Sequence, residues 1–120
     1  MENKKRLEES KLFTPYKLGS VTLRNRVIRS AAFESMGKDF APTQALKDYH
    51  VSVAKGGVGM TTVAYASINR SGISFNKQLW LRDEIVPALR DLTDAVHNEG
   101  AAVGIQLGHC GNMTHWSTAG

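Results

Sequence analysis

The sequence holds a single cysteine, Cys110, so no internal disulfide can staple it. It has no apolar run near the ~18 residues that a membrane helix needs. No secretory leader is visible, because Met1 to Lys11 is polar throughout and has no apolar centre. A block of one charge sign is also missing. Lys plus Arg number 15 against 11 Asp plus Glu, a net charge of +4, yet the densest basic run, Lys4-Lys5-Arg6, is flanked by Glu2, Glu8 and Glu9. Nucleic-acid surfaces need a single-sign stripe or patch. The expectation is therefore a cytoplasmic protein with Cys110 reduced and neither a nucleic-acid nor a membrane partner. What is present is ordinary globular composition: 42% hydrophobic and 22% charged residues in a chain of 120, enough for one domain.

Residues 1–11 read as a polar tail, and residues 12–120 as the folded part. Leu12 to Leu18 and Val21 to Leu23 flank Gly19-Ser20, which predicts a β-hairpin. Arg26 to Ala32 reads as a strand with a β-branched middle and a small-residue end. Phe33 to Ala41 reads as a loop. Pro42-Thr43 opens a helix carrying Leu46, Tyr49, His50 and Val53, and Gly56-Gly57 ends it. Val58 to Ala64 is apolar enough for a strand covered on both faces. Ser67 to Arg82 reads as a long loop. A helix follows over about 83–98, with Ile85, Leu89, Leu92 and Val96 on one stripe. Ala101 to Leu107 is a third strand, and a Gly- and Ser-containing segment runs to Gly120. A hairpin followed by β-α-β-α-β with parallel strands is an α/β architecture.

Lys55-Gly56-Gly57-Val58-Gly59 is glycine-rich but precedes a strand, whereas a phosphate-binding loop follows a strand and opens a helix. His109, Cys110 and His115 could meet a metal ion, but their spacing matches no common zinc pattern. The stronger constellation is distributed over strand ends, where α/β proteins bind ligands. Ser30, Ala31, Ala32 and Phe33 follow one strand, Tyr65 ends the next, and Gln106 lies at the end of the third. Small side chains expose backbone, and an amide both donates and accepts. That set suits a flat heterocycle with mixed edges, a flavin or a nucleobase. It equally suits close packing at strand ends with Gln106 as a surface polar group.

Five segments form a further pattern: Leu12-Phe13-Thr14-Pro15, Leu23-Arg24-Asn25-Arg26-Val27, Gly56 to Met60, Leu79-Trp80 with Asp83-Glu84, and Gly104-Ile105-Gln106-Leu107-Gly108-His109-Cys110-Gly111. Together they resemble the old yellow enzyme family. The match runs in order from Leu12 to about Asn112. The resemblance implies the N-terminal part of a TIM (β/α)8 barrel, FMN as cofactor and NAD(P)H as reductant. It implies a small-molecule substrate with an activated carbon-carbon double bond, such as an enone or a dienoyl thioester. It places Ser30, Ala31, Ala32 and Phe33 along the flavin ring, the backbone of Tyr65 near it, and Gln106 on its pyrimidine side. There, donors would stabilise negative charge on the reduced ring.

The chain departs from the family's pattern at three places. Ala31-Ala32-Phe33 stands where many members have Pro-Met-Thr or Pro-Met-Cys, Tyr65 where Gly or Ala is usual, and Asn112 where arginine is common. A complete barrel needs about 250 residues. The family's substrate-binding His/Asn or His/His pair, its proton-donating tyrosine and its phosphate loops are expected beyond Gly120. No catalytic residue and no metal ligand is therefore assigned, and the 120 residues alone are expected to be inactive. The alternative is a barrel fragment acting as a non-catalytic binding module, by self-association or by pairing with a C-terminal barrel remainder.

Overall fold

The computed structural model describes residues 2–115 and 117. Residues 116 and 118–120, the end of the segment expected to run to Gly120, lie outside it. The expected tail contains a helix, α1 (Glu2–Glu8), with no buried residue. Its Glu, Lys, Arg and Leu are good helix formers, and Glu2 in the first turn with Lys5 and Arg6 in the last suit the helix dipole.

Strands β1 (Tyr16–Leu18) and β2 (Val21–Leu23) pair antiparallel as the expected hairpin. Strand β3 (Ile28–Arg29) is shorter than the strand expected over 26–32. Helix α2 (Gln44–Lys55) is capped by Thr43, whose Oγ1 accepts from Leu46 N, and it buries Leu46, His50 and Ala54. Strand β4 (Met60–Ser67) forms the centre of the sheet. The loop expected over 67–82 contains a strand that sequence patterning does not reveal, β5 (Leu79–Trp80). A 3₁₀ turn (Asp83–Ile85) leads into α3 (Val86–Asn98), and β6 (Ala102–Gly108) follows.

Every pairing inside the larger sheet is parallel. Met60 pairs with both Ile28 of β3 and Ala102 of β6, and Ala66 with both Leu79 of β5 and Leu107 of β6. Thus β3 and β5 share one edge of β4, and β6 takes the other. Helices α2 and α3 cover one face of the sheet. Leu46 and Ala54, Leu92 and Val96 meet Val63, Ala66, Leu79 and Ala101 in the core. Lys47 and Asp91 join the two helices at 2.7 Å. Among the described residues the outer edge of β6 has no strand partner, and Leu107 is 52% exposed. Open edges of this kind invite pairing with another strand. Among the described residues no helix is long and apolar enough to cross a membrane.

The segment between hairpin and β3 clamps the end of the sheet opposite the strand tips. Arg24 donates to Ala54 O at 2.6 Å, Glu99 O at 2.7 Å and Val58 O at 3.0 Å. Asn25 donates to Gly57 O and accepts from Val27 N. Gly59 must be glycine here, because a Cβ would sit 2.3 Å from Asn25 O.

Candidate functional site

The parallel register brings the carboxyl ends of β3, β4 and β6 to one rim. Ser30 to Phe33 leave β3 there, Tyr65 lies near the end of β4, and Gln106 near the end of β6. The pairing skips between Val63–Ile105 and Ala66–Leu107, so Gln106 lies opposite the irregular Ala64-Tyr65 step. Val103 and Ile105 pack on the core. Strand alternation therefore turns Gly104 and Gln106 to the opposite face. On that face Gly104 adjoins Met60, whose Cε would be 2.6 Å from an added Cβ.

Phe33 and Tyr65 meet edge to face at 5.5 Å, and Phe33 stacks on Phe75 at 5.0 Å. Phe33 and Phe75 remain 37% and 49% exposed. Phe75 is a rim residue that sequence reading misses, because a lone aromatic in a polar loop carries no pattern. The Tyr65 hydroxyl lies 3.6 Å from Cys110 Sγ. Burial, then the hydrogen bond and charge of Cys110, push the Tyr65 phenol up to about 12. A phenol that keeps its proton longer in the folded state loses stability as pH rises from about 10 to about 12. Tyr65→Phe is expected to flatten that alkaline limb and leave urea midpoints near neutral pH little changed, as a pH series of unfolding curves would show.

The residues considered for a metal diverge. His109 accepts from Gly111 N through Nδ1 and meets Ser71 Oγ through Nε2 at 3.0 Å each, Cys110 faces Tyr65, and His115 meets Ser117 Oγ. Among the described residues no group of three His, Cys, Asp or Glu could hold an ion. The His109 ring covers Gly72, where a Cβ would lie 2.6 Å from its Cδ2 and 2.6 Å from Ser67 Oγ. This contact fastens the segment after β6 to the loop after β4. Gly56 and Gly57 turn α2 into the approach to β4, as their position before a strand requires.

Sequence reading also misses the groups beneath the rim. Glu34, expected in a loop, has a side chain only 2% exposed, against His50 of α2 and Arg29 of β3. His50 sits among helix residues of apolar spacing, and nothing in the pattern marks it as polar core.

The rim meets the demands of a flavin ring along one edge. The Gln106 amide is exposed and has no side-chain partner among the described residues, so its donor and acceptor are free for a heterocycle edge. Ser30, Ala31 and Ala32 leave the backbone accessible, and Phe33, Tyr65 and Phe75 add an aromatic wall. This set fits the ring and one of its edges. Arg29, the nearest cation in sequence, is committed to Glu34, Thr62 O and Ala32 O.

Residues 11–118 match the model of the NADH:flavin oxidoreductase / NADH oxidase family. The chain is 43% identical over 100 residues to a 4,4'-dithiodibutanoate disulfide reductase of Rhodococcus erythropolis, covering 83% of this chain and 25% of that protein. It is 41% identical over 106 residues to an NADPH dehydrogenase of Listeria welshimeri, covering 85% of this chain and 31% of the relative. In fold it is similar to the old yellow enzyme homologue from Zymomonas mobilis, with a TM-score of 0.83 and 24% identity over 92% of this chain and 31% of that one. The chain thus spans between a quarter and a third of the length of these proteins.

Proposed function

Since the chain belongs to the NADH:flavin oxidoreductase / NADH oxidase family, whose cofactor is FMN with NAD(P)H as reductant, we propose that its rim forms one side of the flavin mouth in a reductase of activated carbon-carbon double bonds. Membership makes the fold the N-terminal part of a TIM barrel, with β3, β4 and β6 as its first strands. The observation that carries the reading is that Phe33, Tyr65 and the Gln106 amide, which has no partner among the described residues, share one rim of a parallel sheet.

The chemistry supplied by a bound flavin is acceptance and return of hydride. The residues of this chain bind and shape. Gln106 donates to and accepts from the ring edge, and its donor favours negative charge there. Ser30, Ala31 and Ala32 let the ring approach the backbone. Phe33 and Phe75 exclude water from the mouth. Tyr65 stays a neutral phenol at working pH. The substrate is a small molecule, and enones or dienoyl thioesters are the class we favour. We place the enzyme in the cytoplasm, where Cys110 stays a thiol.

Gln106→Leu in the FMN-loaded protein is expected to weaken FMN about 10- to 100-fold, the loss of an amide's hydrogen bonds to a desolvated edge. Fluorescence titration reads it, and unchanged affinity would remove Gln106 from the site. A second reading rests on the edge of β6, which has no strand partner among the described residues: the 120 residues alone self-associate or take up strands from a second chain. By itself the chain is expected to sediment as an associated species and to consume no NAD(P)H in the presence of FMN. A stable monomer would count against association, and steady turnover against inactivity.

A further inference from the structure

A cluster of buried ionisable groups under the rim takes no part in the function just described. Glu34 Oε1 accepts from Arg29 Nη1 at 2.8 Å and lies 2.8 Å from His50 Nε2. The Ala64 amide donates to both carboxylate oxygens, at 3.3 and 3.2 Å. His50 Nδ1 lies 2.7 Å from Thr61 Oγ1. Arg29 also donates to Thr62 O at 2.6 Å and Ala32 O at 3.0 Å, and its guanidinium lies 5.1 Å from the centre of the Tyr49 ring. Arg29 and the Ala64 amide both direct donors at this carboxyl group, and His50 closes its remaining side.

Buried ion pairs gain little stability over apolar side chains of the same size. This cluster instead acts on backbone. It joins β3, the segment after it, α2 and β4, and two of its bonds end on rim atoms, Ala32 O and Ala64 N. The neighbouring Ser35 has φ +56°, a conformation that a non-glycine residue keeps only where its surroundings enforce it. Bonds from below thus set how far apart segment 30–34 and the end of β4 stand.

We propose that Glu34 is a positioning residue for the flavin: with Arg29 and His50 it holds the backbone at Ala32 and Ala64 at the separation the ring requires. This rests on the assignment of the rim to FMN. The test uses the holoprotein formed by this chain and the strands that close its barrel. FMN affinity is read by fluorescence quenching, Ala64 protection by amide hydrogen exchange, and stability by thermal midpoint. Glu34→Gln keeps the shape and removes the charge. Arg29→Met with Glu34→Leu removes both charges and strands neither, so it serves where the single variant does not fold. Leu92→Ala, in the core and away from the rim, is the stability control.

Both cluster variants are expected to weaken FMN about tenfold or more and to speed Ala64 exchange, while Leu92→Ala lowers the midpoint and leaves FMN affinity within about twofold. Wild-type affinity in both cluster variants would overturn the positioning role and leave the flavin site intact. Equal weakening by Leu92→Ala would overturn it too, since general loosening would then suffice. Failure of the unmutated holoprotein to take up FMN would overturn the flavin site itself, and this proposal with it.

Discussion

Arg24→Ala is expected to cost roughly 2–4 kcal/mol of folding stability, far more than an exposed arginine usually carries. Its guanidinium donates to carbonyls at three places: Ala54 in the last turn of α2, Glu99 just past α3, and Val58 before β4. Two of these lie where helix dipoles present negative ends, so charge and hydrogen bonds act together. Solvent screens part of this, which keeps the figure below three full charged hydrogen bonds. Arg24→Lys should recover less than half, because an ammonium cannot place three donors in a planar fork. Urea unfolding measures both variants. Hydrogen exchange should show the ends of α2 and α3 opening before β4 does. A loss under about 0.5 kcal/mol would mean that the clamp is a surface ornament.

The Arg24 clamp also explains which parts of the molecule were readable. Leu23-Arg24-Asn25-Arg26-Val27 stands out as a motif, but its role is architectural: Leu23 is buried, Asn25 bridges Gly57 and Val27, and Arg24 ties the helix ends. The elements with strong periodicity were legible. In the stripe Ile85, Leu89, Leu92 and Val96, three members are buried and Leu89 half-buried. Hairpin and strand order followed from turn residues and apolar runs for the same reason: local pattern and tertiary demand agree.

What was illegible depends on distant partners. Leu79–Trp80 makes a strand only because Ala66–Ser67 offers a free edge and Arg82 anchors Asp39 O and Phe40 O beside it. Two residues show no period. The strand expected over 26–32 spans only Ile28–Arg29, and beyond it Ala32 O is held by the Arg29 side chain, a contact that no local pattern announces. The candidate site was legible as a set of strand ends, and the parallel register brings those ends to one rim. The support beneath was not. Glu34 looks like loop charge and His50 like one more member of a helix face, and only folding places them 2.8 Å apart.

That support yields the second large effect. Arg29→Met is expected to cost about 3–5 kcal/mol, because it leaves the Glu34 carboxylate buried with only His50 and the Ala64 amide as partners. Thr62 O and Ala32 O also lose their partner. The size of the loss comes from the stranded charge and not from the worth of the pair. Adding Glu34→Leu to Arg29→Met should therefore return most of the lost stability, since no uncompensated charge then remains in the interior. Denaturation midpoints of the two single variants and the double variant close the cycle. A strong favourable coupling between the mutations would show that the cluster persists for what it holds in place. Purely additive losses would show that Arg29 and Glu34 stabilise the fold separately, and the buried charge would then need a different explanation.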